Sequence, residues 1–323
     1  MLAIQAVRAG GPEVLEVVDL PVPTPGEGQI LIRHEAVGLN FIDTYQRSGL
    51  YPMKLPAVLG LEGAGVVEAV GEGVTRFAVG DRAAYGNGPL GAYAEFHVVS
   101  ETRAVRIPTG IETATAAAAM LKGMTAEFLL RRCVPVKAGD WVLIHAAAGG
   151  VGTIMTQWAK ALGAQVIGTA GSEDKAAMAT ESGADHVILY REEDVAARVR
   201  EITDKAGVRV VYDGVGAATF QGSLDSLARR GTLVVYGNAS GQAPVVAPSE
   251  LQKRGSLFLT RPTLFDYVTT TEELDESAGA LFEVIGSGAV KIGIGQTFPL
   301  AETRRAHETL EARGTTGSSL LIP

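Results

Sequence analysis

The spacing of hydrophobic and polar residues changes twice along the chain. Up to about residue 125, short apolar runs alternate with turns, at 15–18, 30–37, 65–70, 82–85, 93–99 and 104–107. Pro21, Pro23 and Pro25, with Gly26 and Gly28, break the chain after the earliest of these runs, and no long helical periodicity appears before about Glu112. Such spacing predicts a mostly antiparallel, barrel-like domain. From Leu121 to about Arg261 strands alternate with helices. Strands are expected at 141–144, 165–169, 186–189, 208–212, 232–236 and 257–259, with helices near 174–182, 193–203 and 219–227. That alternation predicts one doubly wound parallel sheet. Beyond it the pattern is mixed, with helices expected at 272–285 and 302–312 and a strand at 319–322 that can rejoin the first domain.

The most informative stretch runs from Trp141 to Gly171. An apolar run too short for a helix, Trp141-Val142-Leu143-Ile144, leads into a small-residue turn from Ala146 to Gly152. Val151, Ile154, Met155, Trp158, Ala159 and Leu162 then repeat at helical spacing, Gly163 closes the helix, and residues 165–169 start the next strand. This is a β-α-β unit of about 30 residues, the size of a parallel crossover. Its turn spells A-x-G-x-x-G from Ala147. Gly149 would let the backbone approach a pyrophosphate, Gly152 would let helix and strand pack closely, and the first N–H groups of the helix would bind phosphate. A glycine pattern alone says little in a chain with 40 glycines. Its place between strand and helix makes it specific.

The end of the second strand reports on the nucleotide. NAD sites usually place Asp or Glu there to hold the ribose 2′-OH. Here the strand ends Gly168-Thr169-Ala170-Gly171-Ser172, with no acid before Glu173, and Lys175 follows. A missing carboxylate beside a cation suits a 2′-phosphate, and predicts NADPH over NADH.

Composition narrows the function classes. A net charge of −8 and no cluster of Lys and Arg argue against nucleic acid as the main partner. The N-terminus lacks the basic start and apolar core of a signal peptide, and no apolar run is long enough to span a bilayer. Cys133 is the only cysteine, which excludes an internal disulfide and a cysteine-built zinc site. The expectation is a cytoplasmic protein with no membrane association.

Several motifs together carry a resemblance over essentially the full length. They are Gly11-Pro12-Glu13-Val14-Leu15, Gly38-Leu39-Asn40-Phe41-Ile42-Asp43-Thr44-Tyr45, Arg47-Ser48-Gly49-Leu50-Tyr51-Pro52, Gly91-Ala92-Tyr93-Ala94-Glu95 and Lys122-Gly123-Met124-Thr125-Ala126. To these are added the turn from Ala146 to Gly152, Val211-Tyr212-Asp213-Gly214-Val215-Gly216 and the terminal residues 317–323. The chain resembles the medium-chain dehydrogenase/reductase superfamily, and within it the zinc-free quinone oxidoreductases related to zeta-crystallin.

The resemblance implies a GroES-like catalytic domain over 1–125, an NADP(H)-binding Rossmann domain over 126–262, and a return segment, 263–323, that completes the catalytic domain. It implies NADPH-dependent reduction of quinones by electron or hydride transfer. Residues 257–259, bulky and apolar at what could be a sheet edge, can either pair across the two-fold of a homodimer or form a buried strand within the monomer. An alkenal or enone double-bond reductase and a non-catalytic NADPH-binding protein are the alternatives. It places Asn40 and Tyr45 against nicotinamide and acceptor, with Tyr51 at the mouth of the acceptor site. Tyr45 can equally be a core aromatic stacked on Phe41 at i, i+4. The cofactor is assigned to Ala148, Gly149, Gly150, Val151, Gly171, Ser172, Lys175, Tyr190, Gly216, Asn238, Arg261 and Arg313. Zinc-dependent relatives carry Cys-x-x-Asp and Gly-His-Glu where this chain has Asn40-Phe41-Ile42-Asp43 and Gly60-Leu61-Glu62. Asparagine and leucine replace a thiolate and an imidazole, so metal-free chemistry is expected. The five histidines, at 34, 97, 145, 186 and 307, are scattered singly and read as structural.

Overall fold

A computed structural model describes residues 1–323, which divide into two compact units. One comprises Met1–Met124, Tyr267–Gly288 and Ile292–Pro323; the other comprises Thr125–Asp266 with Ala289–Lys291.

The first unit begins with β1 (Leu2–Ala6) and β2 (Leu15–Asp19), an antiparallel pair joined on its other side by the short β4 (Ala57–Val58). Its larger sheet is built on β3 (Gln29–Leu39), eleven residues whose interior-facing Ile30, Ile32, Val37 and Leu39 are buried. β5 (Gly63–Val70) runs antiparallel along one edge of β3, followed outward by β6 (Arg82–Tyr85) and β8 (Val105–Arg106). The other edge of β3 is shared. β7 (Phe96–Ser100) covers its first half, and the C-terminal strand of the chain covers its last residues. Directly after β3 comes α1 (Phe41–Ser48), and after β8 comes α2 (Thr113–Glu127).

The second unit holds a six-stranded, wholly parallel sheet. It is formed by β9 (Trp141–Ile144), β10 (Gln165–Ala170), β11 (His186–Leu189), β12 (Val208–Asp213), β13 (Leu227–Val235) and β14 (Phe258–Thr260). Their order, β11-β10-β9-β12-β13-β14, is that of a doubly wound sheet with its switch point between β9 and β12. The linking helices are α3 (Gly150–Ala161), α4 (Glu173–Glu181), α5 (Val195–Ile202), α6 (Phe220–Ser226) and α7 (Pro248–Lys253). Leu143, Ile167, Val211 and Leu233 are buried because helices cover both faces of such a sheet. The chain then returns to the first unit as α8 (Thr271–Gly286), β15 (Ile294–Pro299), α9 (Thr303–Glu311) and β16 (Ser318–Ile322). β16 pairs antiparallel with β3, Ser319 opposite Leu39, and parallel with β15.

Every strand expected in the parallel sheet is present, and the barrel-like sheet is antiparallel except at β15–β16. α1 has the helical i, i+4 spacing weighed for Phe41 and Tyr45. β1, β4, α7 and β15 differ from expectation in being regular structure, and the run expected at 93–99 becomes a strand only from Phe96. Tyr93 and Ala94 instead bond β1 from an irregular segment, through the Tyr93 carbonyl to the Ile4 N–H at 2.8 Å and an Ala94–Ala3 bridge.

Candidate active site

In the parallel unit the expected nucleotide residues gather at the carboxyl ends of the strands. β9 gives way to a turn in which Ala146 takes a left-handed φ of 52°. Gly149 N–H closes the turn on the Ala146 carbonyl at 2.9 Å. Gly149 is also the N-cap of α3, and no side chain caps the helix, so its first-turn N–H groups have no side-chain acceptor. A Cβ on Gly149 would approach only the Ala146 carbonyl, at 3.2 Å, so the space above it admits another group. Gly152 serves packing instead, because a Cβ there would lie 2.2 Å from the Ala146 carbonyl. The turn fits a pyrophosphate for the reasons its sequence suggested.

β10 ends at Ala170, followed by Gly171 and then Ser172, the N-cap of α4. The Tyr190 ring covers Gly171 so closely that a Cβ on the glycine would sit 2.5 Å from the phenol oxygen. Lys175 stands half-buried in the first turn of α4. At the end of β12, Gly216 has a φ of 90° and packs against the Gly241 carbonyl. Asn238, buried, follows β13, and its carbonyl accepts from Gly241 N–H at 2.9 Å. Arg261, exposed, follows β14.

Beneath these residues lies a buried relay to which the sequence assigned no role. Asp213 accepts from Val215 N–H (2.8 Å), Gly216 N–H (3.0 Å), the Thr219 hydroxyl (2.7 and 2.8 Å) and the Ser223 hydroxyl (2.8 Å). Ser223 is 2.9 Å from His145 Nε2, and His145 Nδ1 is 3.1 Å from the hydroxyl of Thr169. Thr169 in turn accepts from Ala146 N–H at 3.2 Å. Since Ser223 donates to Asp213, it accepts from Nε2–H, leaving Nδ1 to accept from Thr169. Burial lowers the His145 pKa, with Asp213 opposing, which fits this neutral tautomer. The relay ties the α3 turn, the end of β10 and the loop carrying Gly216 into one rigid base.

In the other unit, Asn40 is the N-cap of α1, and the Asp43 carboxylate reaches back to its N–H at 2.8 Å. Tyr45, one turn along, is largely buried. It lies 6.3 Å from Phe41 and 5.4 Å, edge-on, from Tyr51, measured between ring centroids. The contact with Phe41 is the packing role weighed for Tyr45; the contact with Tyr51 makes the two phenols one aromatic group. Tyr51 N–H also donates to the Tyr45 carbonyl at 3.0 Å. Arg313, exposed, takes a left-handed φ of 58° just after α9.

A second buried network anchors α1. Arg47 forms a bidentate pair with Glu311 (2.7 and 3.0 Å) and donates to His307 Nδ1 at 3.0 Å. His307 Nε2 is 3.1 Å from the Tyr93 phenol, which donates to Asp43 at 2.7 Å. Burial, reinforced by Arg47, lowers His307 to about 3, so it is a neutral structural histidine. Burial raises Asp43 to about 7, against the Tyr93 and Asn40 hydrogen bonds that favour its charged form, and its Oδ1 is buried without a partner.

Asn40 also touches the most enclosed ion pair of this unit. Its Nδ2 donates to Glu62 Oε2 at 2.8 Å, where the Lys122 ammonium also binds at 3.0 Å, and Leu121 N–H donates to Oε1 at 2.6 Å. Glu62 is 0% exposed and Lys122 6%. Gly38 makes room for the carboxylate, since a Cβ there would lie 2.0 Å from Oε2.

Two family models match. The alcohol dehydrogenase GroES-like domain covers residues 26–109, and the zinc-binding dehydrogenase model covers 150–282. The chain is 53% identical over 321 residues to a quinone oxidoreductase of Pseudomonas aeruginosa, covering 99% of each. The solved structure of the Escherichia coli quinone oxidoreductase complexed with NADPH superposes with a TM-score of 0.98 at 49% identity, covering 100% of both chains. The chain belongs to the quinone oxidoreductase family of medium-chain dehydrogenases/reductases. A 2-haloacrylate reductase of a Burkholderia species is also related, 45% identical over 98% of this chain and 97% of its own length.

The zinc implied by the second family model does not fit the residues present. Asn40 and Leu61 offer neither thiolate nor imidazole, and both oxygens of Glu62 are committed to Lys122, Asn40 and Leu121. A fixed ammonium already lies against the Glu62 carboxylate, and no three His, Cys, Asp or Glu side chains converge to hold a metal ion.

Proposed function

We propose that this quinone oxidoreductase reduces quinones with NADPH, without zinc: quinone, NADPH and a proton yield hydroquinone and NADP+. The observation that carries the reading is the uncapped start of α3 above Gly149, together with a β10 end that has no acid before Glu173. Ala148, Gly149, Gly150 and Val151 would bind the pyrophosphate through backbone N–H groups. Gly171, Ser172, Lys175, Tyr190 and Arg313 would hold the adenosine end, with Lys175 and Arg313 as counter-charges for the 2′-phosphate. Gly216, Asn238 and Arg261 would line the path to the nicotinamide, on the base that Asp213 and His145 stiffen. When bound, NADPH supplies a hydride from nicotinamide C4.

Asn40 and Tyr45 are assigned to the nicotinamide and acceptor, with Tyr51 beside them. A conjugated carbonyl already polarises its ring, so positioning and a few hydrogen bonds replace a Lewis acid. Tyr45 orients the acceptor, and solvent can supply the proton. The protein is further read as a cytoplasmic homodimer. Support comes from the single cysteine, the absence of any helix long and apolar enough to cross a membrane, and the exposed apolar edge of β14.

The related 2-haloacrylate reductase favours a second reading, reduction of α,β-unsaturated carbonyls, with hydride added to the β-carbon. Steady-state kinetics with NADPH, on 1,4-benzoquinone and on a simple enone, separate the two. The quinone is expected to give the higher kcat/KM. A higher value for the enone would make quinone reduction incidental.

A further inference from the structure

We propose that Lys122 and Glu62 are positioning residues that fix the polarity of the Asn40 side chain, so that it offers a hydrogen-bond acceptor and no donor. This rests on the assignment of Asn40 to the nicotinamide and acceptor. The geometry is specific. Lys122 and Leu121 both donate to Glu62, at 3.0 and 2.6 Å, so its carboxylate presents acceptors alone. The Asn40 atom 2.8 Å from Glu62 Oε2 must therefore be the amide nitrogen. Its other nearby acceptor is the Gly38 carbonyl, at 3.5 Å. With its nitrogen turned to Glu62 and Gly38, Asn40 has only its carbonyl oxygen to present, one lone pair of which faces the Asp43 N–H in the capping box of α1 and the other of which is open to a donor.

Two consequences follow for the chemistry. Asn40 recognises a donor, either the nicotinamide carboxamide or a hydroxyl of cofactor or product. It does not stabilise negative charge developing on the acceptor oxygen, which falls to Tyr45, Tyr51 or solvent. Lys122 thus acts on the reaction only through Glu62 and Asn40.

A polarity swap tests this. In Asn40→Asp two carboxylates face each other, and in Glu62→Gln the amide of Asn40 is free to flip. Each is expected to lose about 100-fold in kcat/KM for 1,4-benzoquinone with NADPH, the usual scale for one misdirected hydrogen bond at a reacting centre. The double variant Asn40→Asp/Glu62→Gln exchanges the two groups. The amide then at position 62 donates to the carboxylate then at position 40, Lys122 pairs with that relocated carboxylate, and an acceptor stays where Asn40 has one. It is expected to recover at least about tenfold over Asn40→Asp, since coupled sites are non-additive. A double variant no better than Asn40→Asp, but folded by circular dichroism, overturns the inference. Should the double variant not fold, Glu62→Gln decides, on protein shown to be folded by circular dichroism: unaltered turnover overturns the inference, and a fall with the fold retained supports it. Asn40→Ala checks the underlying assignment separately, because wild-type turnover there would remove Asn40 from the site altogether.

Discussion

A buried carboxylate needs compensating charge, and Glu62 obtains it from a lysine 60 positions away in sequence. Truncating one member of such a pair leaves an uncompensated buried ion, which costs about 3–5 kcal/mol. Lys122→Met should therefore lose about that much in urea unfolding, and Lys122→Met/Glu62→Gln should regain most of it. A Lys122→Met variant within about 1 kcal/mol of wild type would mean that Glu62 is not held by this pair. Asp213 illustrates the other way to bury an acid. It collects donors from four residues of one loop and helix, and so fixes the backbone around Gly216. Neither role is visible in the chain, because Glu62 and Asp213 appear there only as single acids inside family motifs. What makes them matter is partners brought close by folding.

At the scale of elements, legibility follows burial. β9, β10 and β12 are apolar runs because helices cover both faces, and α3 shows an unbroken apolar stripe, so both were readable. α1 was legible only in the i, i+4 spacing of Phe41 and Tyr45, because most of what it buries is polar: Asp43, Thr44 and Arg47 are inside, with Arg47 paired to His307 and Glu311 far along the chain. β15 failed for the opposite reason, being mostly exposed and without a hydrophobic period. β14 sits at the edge of the parallel sheet with Phe258 60% exposed. An apolar open edge invites pairing with a second copy. Sedimentation should find a dimer for the wild type and a monomer for Phe258→Glu; a monomeric wild type would remove the dimer from this account.

For the whole molecule, the cofactor cradle was the most legible part of the site, since a backbone-built phosphate turn declares itself through its glycines. The acceptor side was legible only through resemblance, because Asn40, Tyr45 and Tyr51 are residues that any core could use. The choice of nucleotide rests on an absence at the end of β10 and on Lys175 in the first turn of α4. It is tested most directly by the rates of NADPH and NADH oxidation with 1,4-benzoquinone and 9,10-phenanthrenequinone, in the wild type and in Lys175→Ala. The account predicts quinone-dependent turnover that prefers NADPH, by a margin that shrinks about tenfold or more when the Lys175 charge is removed, the scale of one charge-assisted contact to phosphate. Equal or faster turnover with NADH in the wild type would contradict it.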